Sequence, residues 1–398
     1  MSSNILVINC GSSSLKFSVV DSTSGLQPIS GLAERLGDPE ASITIKSLDQ
    51  DRQVNKHTIN IANGQHDKAL ESILNHLNDA NILETIVAVG HRVVHGGEHF
   101  TASTVITNEV IEAIESCNHL APLHNPANLI GIRESQALLN KVPHVAVFDT
   151  AFHQSMPESA YLYPVPYELY KEQGVRRYGF HGTSHRYVSM ALAEKLKKPL
   201  DSLNLVSAHL GNGCSATAIK AGKSVDTTMG LTPLEGLVMG TRSGDVDPSL
   251  HHFLCSQMNM SIDEVNNMLN KKSGLLGLSG LSNDMRTLEE AYHAGNKQAQ
   301  LAINVFCYRL AKQIAALAVP LGHLDGLIFT GGIGENSVFI REQVLSKLQI
   351  LGFKLDQAKN KDAGKSDNGL ITSTDSTAAY VVQTDEEWMI AKDTQACL

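Results

Sequence analysis

Residues 4–21 have the sequence NILVINCGSSSLKFSVVD, around which the first part of the chain is organised. Two apolar runs flank a short turn that is rich in glycine and serine, a pattern typical of a β-hairpin. The turn supplies Gly11, three serine hydroxyl groups and, just beyond them, Lys16. These groups offer a polyphosphate many hydrogen-bond donors, one cation and little steric bulk. A polar hairpin tip with an incidental lysine has the same composition, so this stretch alone favours phosphate binding only weakly.

The composition of the whole chain indicates a well-packed protein of two domains. Its 398 residues exceed what one hydrophobic core usually holds, and 42% of them are hydrophobic while 18% are charged. The net charge is −9, and no cluster or tail of lysine and arginine is visible. We therefore expect neither a nucleic acid nor a membrane surface as a partner. An anion-binding site in such a protein has to gather its positive charge locally.

The cysteines and the apolar runs indicate a cytoplasmic protein. The six cysteines are scattered and form no C-x-x-C pair, which argues against structural zinc and disulfide bonds. The first residues, MSSNILVINC, lack the basic segment of a signal peptide. No apolar run approaches the roughly 18 residues of a membrane span. A soluble protein of a reducing compartment is therefore expected.

A second hairpin is predicted for residues 204–226, which have the sequence NLVSAHLGNGCSATAIKAGKSVD. This segment repeats the layout of residues 4–21: an apolar strand, a turn with glycine and asparagine, a second apolar strand, a lysine and an aspartate. Such a repeat indicates an internal duplication. If the duplication is real, two similar halves each offer a phosphate-binding hairpin to a shared cleft.

Strands and helices alternate along the rest of the chain. Apolar runs predict further strands at residues 41–48, 57–62, 85–94, 144–150 and 378–384. Helical spacing predicts helices at residues 67–83, 119–139, 184–197 and 299–318, and a short C-terminal helix from Asp385 or Glu386. This alternation implies an α/β protein with a largely central sheet.

The strongest local signal is LIFTGGIGENSVF, residues 327–339. It predicts a strand, a loop at residues 331–334 and a helix with Asn336 as its N-cap, so that backbone N–H groups point at a ligand. The spacing matches neither the P-loop nor the dinucleotide-binding fingerprint. A tight strand-to-helix turn would also explain it, but three glycines in four residues favour contact with a nucleotide.

Four polar residues stand out from their surroundings. Arg92, in VGHRVVHGG, lies in a run too apolar for an unpaired charge, which predicts a buried anionic partner. Arg242, in MGTRSGDVDP, is suited to stabilising the charge that develops on a transferring phosphoryl group. His181, in FHGTSH, is equally compatible with a phosphoryl-facing donor and with a hydrogen-bonded core histidine. Asp149 ends the strand VAVFDT, where structural and functional interpretations both remain open.

Eight motifs follow one another over nearly the whole chain: NCGSSSLKF, APLHNPANL, VFDTAFH, YGFHGTSH, HLGNG, MGTRSGDVDP, FTGGIGEN and EEWMIA. Together they resemble the motifs of the acetate kinase family, which includes propionate kinases and belongs to the actin/hexokinase-like superfamily. The resemblance implies an α/β fold of two duplicated actin-like/ribonuclease H-like domains with a central active-site cleft. It implies a domain I of residues 1–150 plus 386–398 on the carboxylate and phosphate side. Domain II, residues 151–385, would bind the nucleotide and form the dimer.

The same resemblance implies the site residues, position by position. The catalytic residues would be Asp149, His181 and Arg242. Arg92 would bind the acetate carboxylate, and the pocket for the methyl group would consist of Val93, Leu123, Phe180 and Pro233. The nucleotide would contact Ser12, Lys16, His209, Leu210, Gly211, Asn212, Gly213, Asp284, Met285, Arg286, Gly332, Ile333, Gly334, Glu335 and Asn336. A magnesium ion would be held by Asn9 and Glu386.

The implied activity is that of a phosphotransferase with a carboxyl group as acceptor. ATP and acetate would give ADP and acetyl phosphate by reversible, Mg²⁺-dependent in-line transfer, with Mn²⁺ able to replace Mg²⁺. The resemblance also suggests a homodimer. Acetate needs no general base, because carboxyl groups titrate at about 4 to 5 and are ionised at neutral pH. We therefore hypothesise that Asp149 orients Mg²⁺ through water or holds an arginine rather than moving a proton.

Two alternative functions remain open. The same motifs would serve a propionate or butyrate kinase, because the sequence does not reveal the volume of the pocket, although the bulk of Phe180 favours acetate. In a different class, an actin-like or chaperone-like ATPase would use the duplicated fold as a conformational switch. The set of Arg92, Arg242 and His181, together with an apolar pocket, argues against a site that acts only on water.

Overall fold

The computed structural model describes residues 3–49, 53–122 and 124–398. By its internal contacts, the chain divides into two compact units. Unit 1 comprises Met1–Phe152 and Asp385–Leu398, and unit 2 comprises His153–Thr384. The C-terminal segment therefore belongs to the same unit as the N-terminal hairpin.

Unit 1 contains, among the described residues, one sheet of eight strands in the order β5-β4-β3-β2-β1-β6-β8-β7. These strands are β1 (Asn4–Cys10), β2 (Ser14–Asp21), β3 (Ile29–Glu34), β4 (Ser42–Leu48), β5 (Val54–Asn60), β6 (Ile86–Val93), β7 (Thr104–Val105) and β8 (His144–Phe148). The first predicted hairpin is formed by β1 and β2, which pair antiparallel. β1, β6 and β8 are parallel neighbours, so their carboxyl ends meet at one edge of the sheet.

Unit 2 contains a sheet of five strands in the described part of the chain, with the order β11-β10-β9-β12-β13. These strands are β9 (Asn204–Leu210), β10 (Cys214–Lys220), β11 (Lys223–Thr227), β12 (Gly326–Thr330) and β13 (Ala379–Val381). The order repeats β3-β2-β1-β6-β8 of unit 1, with three antiparallel strands followed by two parallel ones. The shared order agrees with the duplication that the two hairpins indicate.

The helices connect the strands and cover the sheets. In chain order the described helices are α1 (His66–Asp79), α2 (Asn108–Ser116), α3 (Asn125–Leu138), α4 (Glu158–Tyr161), α5 (Tyr167–Gln173), α6 (Gly182–Leu196), α7 (Ser249–Met258), α8 (Ile262–Lys271), α9 (Gly274–Ser279), α10 (Met285–His293), α11 (Lys297–Ala318), α12 (Gly331–Asn336), α13 (Val338–Leu345), α14 (Gln357–Lys361) and α15 (Glu386–Ala396). The predicted mixed α/β fold is confirmed.

The alternation of side chains assigns the two faces of the unit 1 sheet to different helices. On β1, Leu6 and Ile8 pack in the cluster that contains α1, whereas Ile5 and Val7 pack with Ile390 of α15. Helix α15 therefore covers one face of the sheet, and α1 covers the other. This division determines which polar side chains at the strand ends can meet.

Helix α11 has, among the described helices, the length and apolar composition that would allow it to cross a membrane. In unit 2 it packs against α9, α10 and β10. Nine of its side chains are buried, including Phe306 and Leu310. These contacts are those of a core helix, and they account for its apolar composition.

The glycine-rich segment differs most from its prediction. Asn336 is not an N-cap, because helix α12 already begins at Gly331, where the left-handed φ of 75° turns the chain directly out of β12. The hydroxyl of Ser337 caps the next helix by accepting a hydrogen bond from the backbone N–H of Ile340 at 2.9 Å. The predicted helix over residues 67–83 is also too long, since α1 ends at Asp79.

Candidate functional site

Three polar side chains of unit 1 meet at the carboxyl ends of β1, β6 and β8. Their positions in the strand alternation place Asn9, Arg92 and Asp149 on the α15 face of the sheet. The Arg92 guanidinium donates from Nε to Asp149 Oδ1 at 3.1 Å, from Nη2 to Asp149 Oδ2, and from Nη1 to Asn9 Oδ1 at 3.3 Å. The predicted buried anionic partner of Arg92 is therefore Asp149, which is 1% exposed.

The charge of Arg92 is balanced by several carboxylates. Burial opposes the charged form of Arg92, but Asp149, Glu386 and Glu387 outweigh burial and raise its pKa. Burial also raises the pKa of Glu386, and the nearby Arg92 partly offsets that effect. The strand ends and the first turn of α15 thus form a cluster in which the positive charge of Arg92 and the nearby carboxylates stabilise one another electrostatically.

The β1–β2 hairpin adds a second cation to this cluster. Lys16 lies directly opposite Asn9 in the register of the hairpin. Its ammonium group forms an ion pair with Glu387, while about half of the side chain, 52%, stays exposed. Ser12 lies at the exposed tip between the strands. The hairpin therefore combines a partly available cation with hydroxyl groups at its open end.

Two buried asparagines of α3 tie the strand ends together. Asn128 donates from Nδ2 to the Cys10 carbonyl at 2.7 Å and accepts at Oδ1 from the Val94 N–H at 3.0 Å. Asn125 makes a similar pair of bonds with the backbone of His95, at 3.1 and 2.9 Å. Sequence reasoning missed Asn128, although two asparagines three residues apart at the start of a helix were an available signal.

The structure places Val93 away from Arg92. Val93 is completely buried and packs with Leu129 of α3, on the face of the sheet opposite to Arg92. Val94, the residue directly after β6, is also buried, and its backbone N–H donates to Asn128. The predicted pocket residue Leu123 lies outside the described residues.

In unit 2, two predicted catalytic side chains meet at the tip of the β9–β10 hairpin. A Cβ atom built on Gly213 would lie 3.4 Å from Nη1 of Arg242 and 3.4 Å from Nε2 of His181, so glycine lets both groups approach the tip. The ring of His181 stands 4.4 Å from the ring of His209. The fold thus brings together Arg242 and His181, which lie 61 positions apart in the numbering (242 minus 181).

Arg242 makes no ion pair with a carboxylate in the described part of the chain. Its contacts are Nη1 to the Pro233 carbonyl at 3.5 Å and Nη1 to the Met239 sulfur at 3.9 Å. Burial lowers the pKa of Arg242, and the Cys214 thiol opposes this effect. A largely buried cation of this kind is costly unless a ligand supplies negative charge. Arg242 is therefore a candidate anion-binding group of unit 2.

The ring of His181 is oriented by a chain of hydrogen bonds. Its Nδ1 bonds the hydroxyl of Ser215 at 2.9 Å, and that hydroxyl bonds Nε2 of His185 at 2.7 Å. The Nδ1 of His185 in turn bonds the Ser207 hydroxyl at 3.0 Å. Burial lowers the pKa of His185 far enough to keep this ring neutral. The chain leaves the Nε2 edge of His181 on the side of Gly213.

The two remaining pocket predictions also fall in unit 2. Phe180 is almost completely buried, and its carbonyl accepts a hydrogen bond from His153 Nε2 at 3.0 Å. Pro233 supplies the carbonyl that faces Arg242. Both residues therefore lie next to the two predicted catalytic side chains of this unit, Phe180 in sequence and Pro233 in space.

A cavity of about 800 Å³ opens beside the glycine-rich segments of unit 2. Ligand-binding cavities typically measure about 300–1,000 Å³. Eight of its lining residues were predicted as nucleotide contacts: Gly211, Asn212, Asp284, Met285, Arg286, Gly332, Ile333 and Asn336. Sequence reasoning missed three further lining residues, Asn283, Glu289 and Ser337.

Local hydrogen bonds hold one wall of this cavity. Asp284 caps α10 by accepting from the backbone N–H groups of Arg286 at 2.9 Å and Thr287 at 3.3 Å. Its carboxylate also pairs with the mostly exposed Arg286 guanidinium at 2.9 Å. Asn283 donates from Nδ2 to Asn212 Oδ1 at 3.0 Å and so connects this wall to the hairpin tip.

The other wall is helix α12, whose Glu335 has a structural role. Its Oε1 accepts from the N–H groups of Gly331 at 3.0 Å and Thr384 at 3.1 Å. A Cβ atom on Gly331 would lie 2.8 Å from the Leu210 carbonyl, so glycine is required where α12 packs on β9. Glu335 and Gly334 were predicted as nucleotide contacts, but neither is among the residues that line the cavity.

Comparisons with known proteins identify the family of the chain. The acetokinase family matches residues 4–392. An acetate kinase of Shewanella sp. (strain ANA-3) is 56% identical over 392 residues, which cover 98% of this chain and 97% of the relative. The solved propionate kinase from Francisella tularensis subsp. tularensis SCHU S4 has a TM-score of 0.94 at 45% identity, with 100% of both chains covered. The acetate kinase of Porphyromonas gingivalis has a TM-score of 0.92 at 43% identity, with 99% of both chains covered.

Fold and relatives together define a phosphotransferase whose acceptor is a carboxyl group. The chain belongs to the acetokinase family. The matches extend over both units, so the family relationship covers the strand-end cluster of unit 1 as well as the cavity of unit 2.

Proposed function

We propose that this protein transfers the γ-phosphoryl group of ATP to acetate, giving acetyl phosphate and ADP, and that it also catalyses the reverse reaction. Membership of the acetokinase family supports this proposal. The observation that carries it is the guanidinium of Arg242, which stands beside His181 without a carboxylate partner in the described residues. This charge suits a group that becomes more negative during the reaction.

The chemistry assigns a defined task to these two side chains. A carboxylate oxygen of acetate attacks the γ-phosphorus, and the bond from that phosphorus to the bridging oxygen of ADP breaks. No proton has to be removed, because acetate is already ionised at neutral pH. In the transition state negative charge spreads over the equatorial phosphoryl oxygens. Arg242 and the Nε2 edge of His181 supply the donors that stabilise this charge.

In the proposal, Arg92 binds the acetate carboxylate. Asp149 accepts hydrogen bonds from Nε and Nη2 of Arg92, and Asn9 accepts one from Nη1. The guanidinium has five N–H donors, so two remain for the substrate. Asp149 therefore acts as a positioning residue that holds Arg92, in line with the chemical argument that no base is needed.

We propose Val94, rather than Val93, as the residue of unit 1 that contacts the methyl group of acetate. Val93 belongs to the core cluster below α3, whereas Val94, the residue directly after β6, is not part of that cluster. Phe180, Pro233 and Leu123 remain proposed pocket residues. A pocket of this kind would accept the methyl group of acetate and exclude water from the carboxylate.

We propose Asn9 and Glu386 of unit 1 as the protein ligands of a magnesium ion. Asn9 and Glu386 offer oxygen atoms, which Mg²⁺ prefers, and Mg²⁺ is usually held by one or two carboxylates together with substrate phosphates. A group of three or more His, Cys, Asp or Glu suited to a metal does not occur in the described residues, so the site would depend on the nucleotide for further ligands. When bound, Mg²⁺ or Mn²⁺ would neutralise phosphate charge.

Propionate is the second candidate acceptor. The similarity to a structure described as a propionate kinase, at 45% identity over the full length, favours some activity on the longer acid. One added methylene changes selectivity by only about 1–3 kcal/mol. We further propose a cytoplasmic homodimer, on family resemblance and on the scattered reduced cysteines.

The proposal is tested by trapping the product with hydroxylamine. The purified protein with ATP and Mg²⁺ is expected to form acyl hydroxamate when acetate is added, less with propionate and least with butyrate. ADP release is measured in parallel without any acid. ADP release that does not depend on acetate, with no hydroxamate, would contradict the proposal and favour an ATPase switch. Nucleotide binding without turnover would instead indicate a binding module.

A further inference from the structure

Arg341 is the largest fully buried side chain among the described residues, and it lies outside the site described above. It belongs to α13, and burial lowers its pKa to about 10. Arg341 forms no ion pair within 4 Å in the part of the chain that the structure describes, and the more distant Glu289 carboxylate only partly offsets the effect of burial on its pKa. Burying a guanidinium in this way is costly, so its hydrogen bonds must have a specific use.

The guanidinium of Arg341 makes four hydrogen bonds to three residues. Nη1 donates to the carbonyls of Gly334 and Glu335, both at 2.9 Å. Nε donates to Asn360 Oδ1 at 2.7 Å, and Nη2 donates to the Asn360 carbonyl at 2.8 Å. Gly334 and Glu335 are in the last turn of α12, whose carbonyls lack partners within the helix. Arg341 thus caps the carboxyl end of α12.

The opposite end of α12 is held as well. The carboxylate of Glu335 bonds the N–H of Gly331, the first residue of the helix, and the N–H of Thr384. A six-residue helix has too few internal bonds to hold its own position. The two side chains together therefore determine where α12 lies in unit 2.

The exposed side of α12 faces the cavity. Gly332, Ile333 and Asn336 line it, whereas Arg341 does not. A lysine could not replace Arg341, because the three donors of an ammonium group share one nitrogen. That nitrogen cannot bond both the carbonyls of α12 and Asn360. The planar guanidinium donates to the α12 carbonyls and to Asn360 of α14 at the same time, and so links the two helices.

We propose that Arg341 is a positioning residue for the nucleotide: it holds the carboxyl end of α12 and so fixes the helix wall against which ATP binds. This inference rests on the proposed function, since it takes the cavity of unit 2 as the ATP site. It predicts that loss of Arg341 weakens nucleotide binding without weakening acetate binding.

The test uses Arg341→Lys and Asn360→Ala in the full-length protein. For Arg341→Lys the KM for ATP is expected to rise about tenfold, from the lost bonds of a charged donor, while the KM for acetate stays within about twofold. Asn360→Ala removes the side-chain acceptor of Nε and is expected to raise the KM for ATP about threefold. The dissociation constant of ADP, measured by calorimetry, should rise in parallel.

Val344→Ala is the matched control. Val344 is fully buried on the same helix, and its truncation lowers stability without touching the bonds to α12. It should lower the Tm and leave both KM values within about twofold of the wild type. If Arg341→Lys does not fold, Asn360→Ala carries the test.

Two results would overturn the proposal. One is an unchanged ADP dissociation constant in the variants that fold. The other is an equal rise of both KM values, with the same pattern in Val344→Ala, which would indicate general destabilisation. A wild-type protein that binds ADP but forms no acyl phosphate would contradict the proposed function alone, because the calorimetric comparison of Arg341→Lys with wild type would still decide the positioning role.

Discussion

The two arginines of the candidate site, Arg92 in unit 1 and Arg242 in unit 2, differ in their partners. Arg92 is held by both carboxylate oxygens of Asp149 and lies near Glu386 and Glu387. Arg242 contacts a carbonyl and a sulfur atom and has no carboxylate partner among the described residues. The neighbouring charges raise the pKa of Arg92, whereas burial lowers that of Arg242.

This difference indicates how the two charges are used. A guanidinium that is paired with a carboxylate has a fixed orientation, and the pair carries almost no net charge. Such a group suits the binding of a small carboxylate substrate before the reaction begins. A guanidinium without a counter-ion interacts most strongly with charge that develops during the reaction. We therefore assign binding to Arg92 and transition-state stabilisation to Arg242.

The largest effect is expected from Arg242→Ala. It should lower kcat about a thousandfold, the order found for arginines that stabilise phosphoryl transfer, with little change in either KM. Arg242→Lys keeps the charge and should recover part of the loss. Steady-state kinetics of the three proteins measure this. A large rise in the KM for acetate with kcat unchanged would show that Arg242 only binds substrate.

A smaller effect is expected from Asp149→Asn. The amide NH₂ would face a donor of Arg92 and disturb its orientation, so the KM for acetate should rise about tenfold or more. The double variant with Arg92→Ala should be no worse than Arg92→Ala alone, because Asp149 acts through Arg92. The pH–rate profile should keep both limbs. A lost limb, with a deficit that neither Mg²⁺ nor Mn²⁺ recovers, would instead assign a proton transfer to Asp149.

The next effect concerns the selectivity between acids rather than the rate. Val94→Ala enlarges the proposed pocket, and should shift the ratio of kcat/KM for propionate over acetate upwards about tenfold. Val93→Ala is the matched control, since it makes the same deletion in the core and should lower the Tm while leaving the ratio within about twofold. The opposite pattern would restore Val93 as the pocket residue.

The smallest effect on activity, but a clear one on stability, concerns a buried histidine of unit 2. Burial lowers the pKa of His153 to about 4, against 6.5 for an exposed ring. Between pH 6.5 and about 4, His153 of the unfolded chain binds a proton that His153 of the folded chain does not. The free energy of unfolding is therefore unaffected by this group above pH 6.5 and decreases as the pH falls towards 4. The loss is on the order of 3 kcal/mol. In His153→Gln the midpoint of urea unfolding should change less with pH between 7 and about 4.5 than in the wild type. If the midpoint changes equally with pH in both proteins, the lowered pKa of His153 is not the cause.

The regular parts of the fold were predictable because local periodicity determines them. Both hairpins, the parallel strands and the C-terminal helix follow from apolar alternation and turn residues. Asp385 caps that helix by accepting from the Trp388 N–H at 2.9 Å, as a cap should. The sequence does not reveal helix α12, because three glycines in four residues suggest a loop, and the bonds of Glu335 to Thr384 and of Arg341 to Gly334 that hold this helix come from outside it.

The candidate site was only partly predictable for a related reason. Sequence motifs identify residues such as Arg92 and Arg242, but not their partners, which lie 57 residues away in the case of Asp149. Asn128 and Asn283 hold the site through long-range bonds that have no local signature. The position of Val93 on the face of β6 opposite to Arg92 is not visible either, because the sequence of a doubly buried strand does not distinguish its two faces.

The measurement that tests the difference between the two arginines most directly is the rate at saturating acetate for Arg92→Ala and Arg242→Ala, side by side. Acetate is raised until each rate is constant, with ATP and Mg²⁺ saturating. We predict that Arg92→Ala recovers most of the wild-type kcat, while Arg242→Ala stays about a thousandfold below it. Equal and unrecovered losses in both variants, or full recovery of Arg242→Ala by acetate, would contradict the assignment.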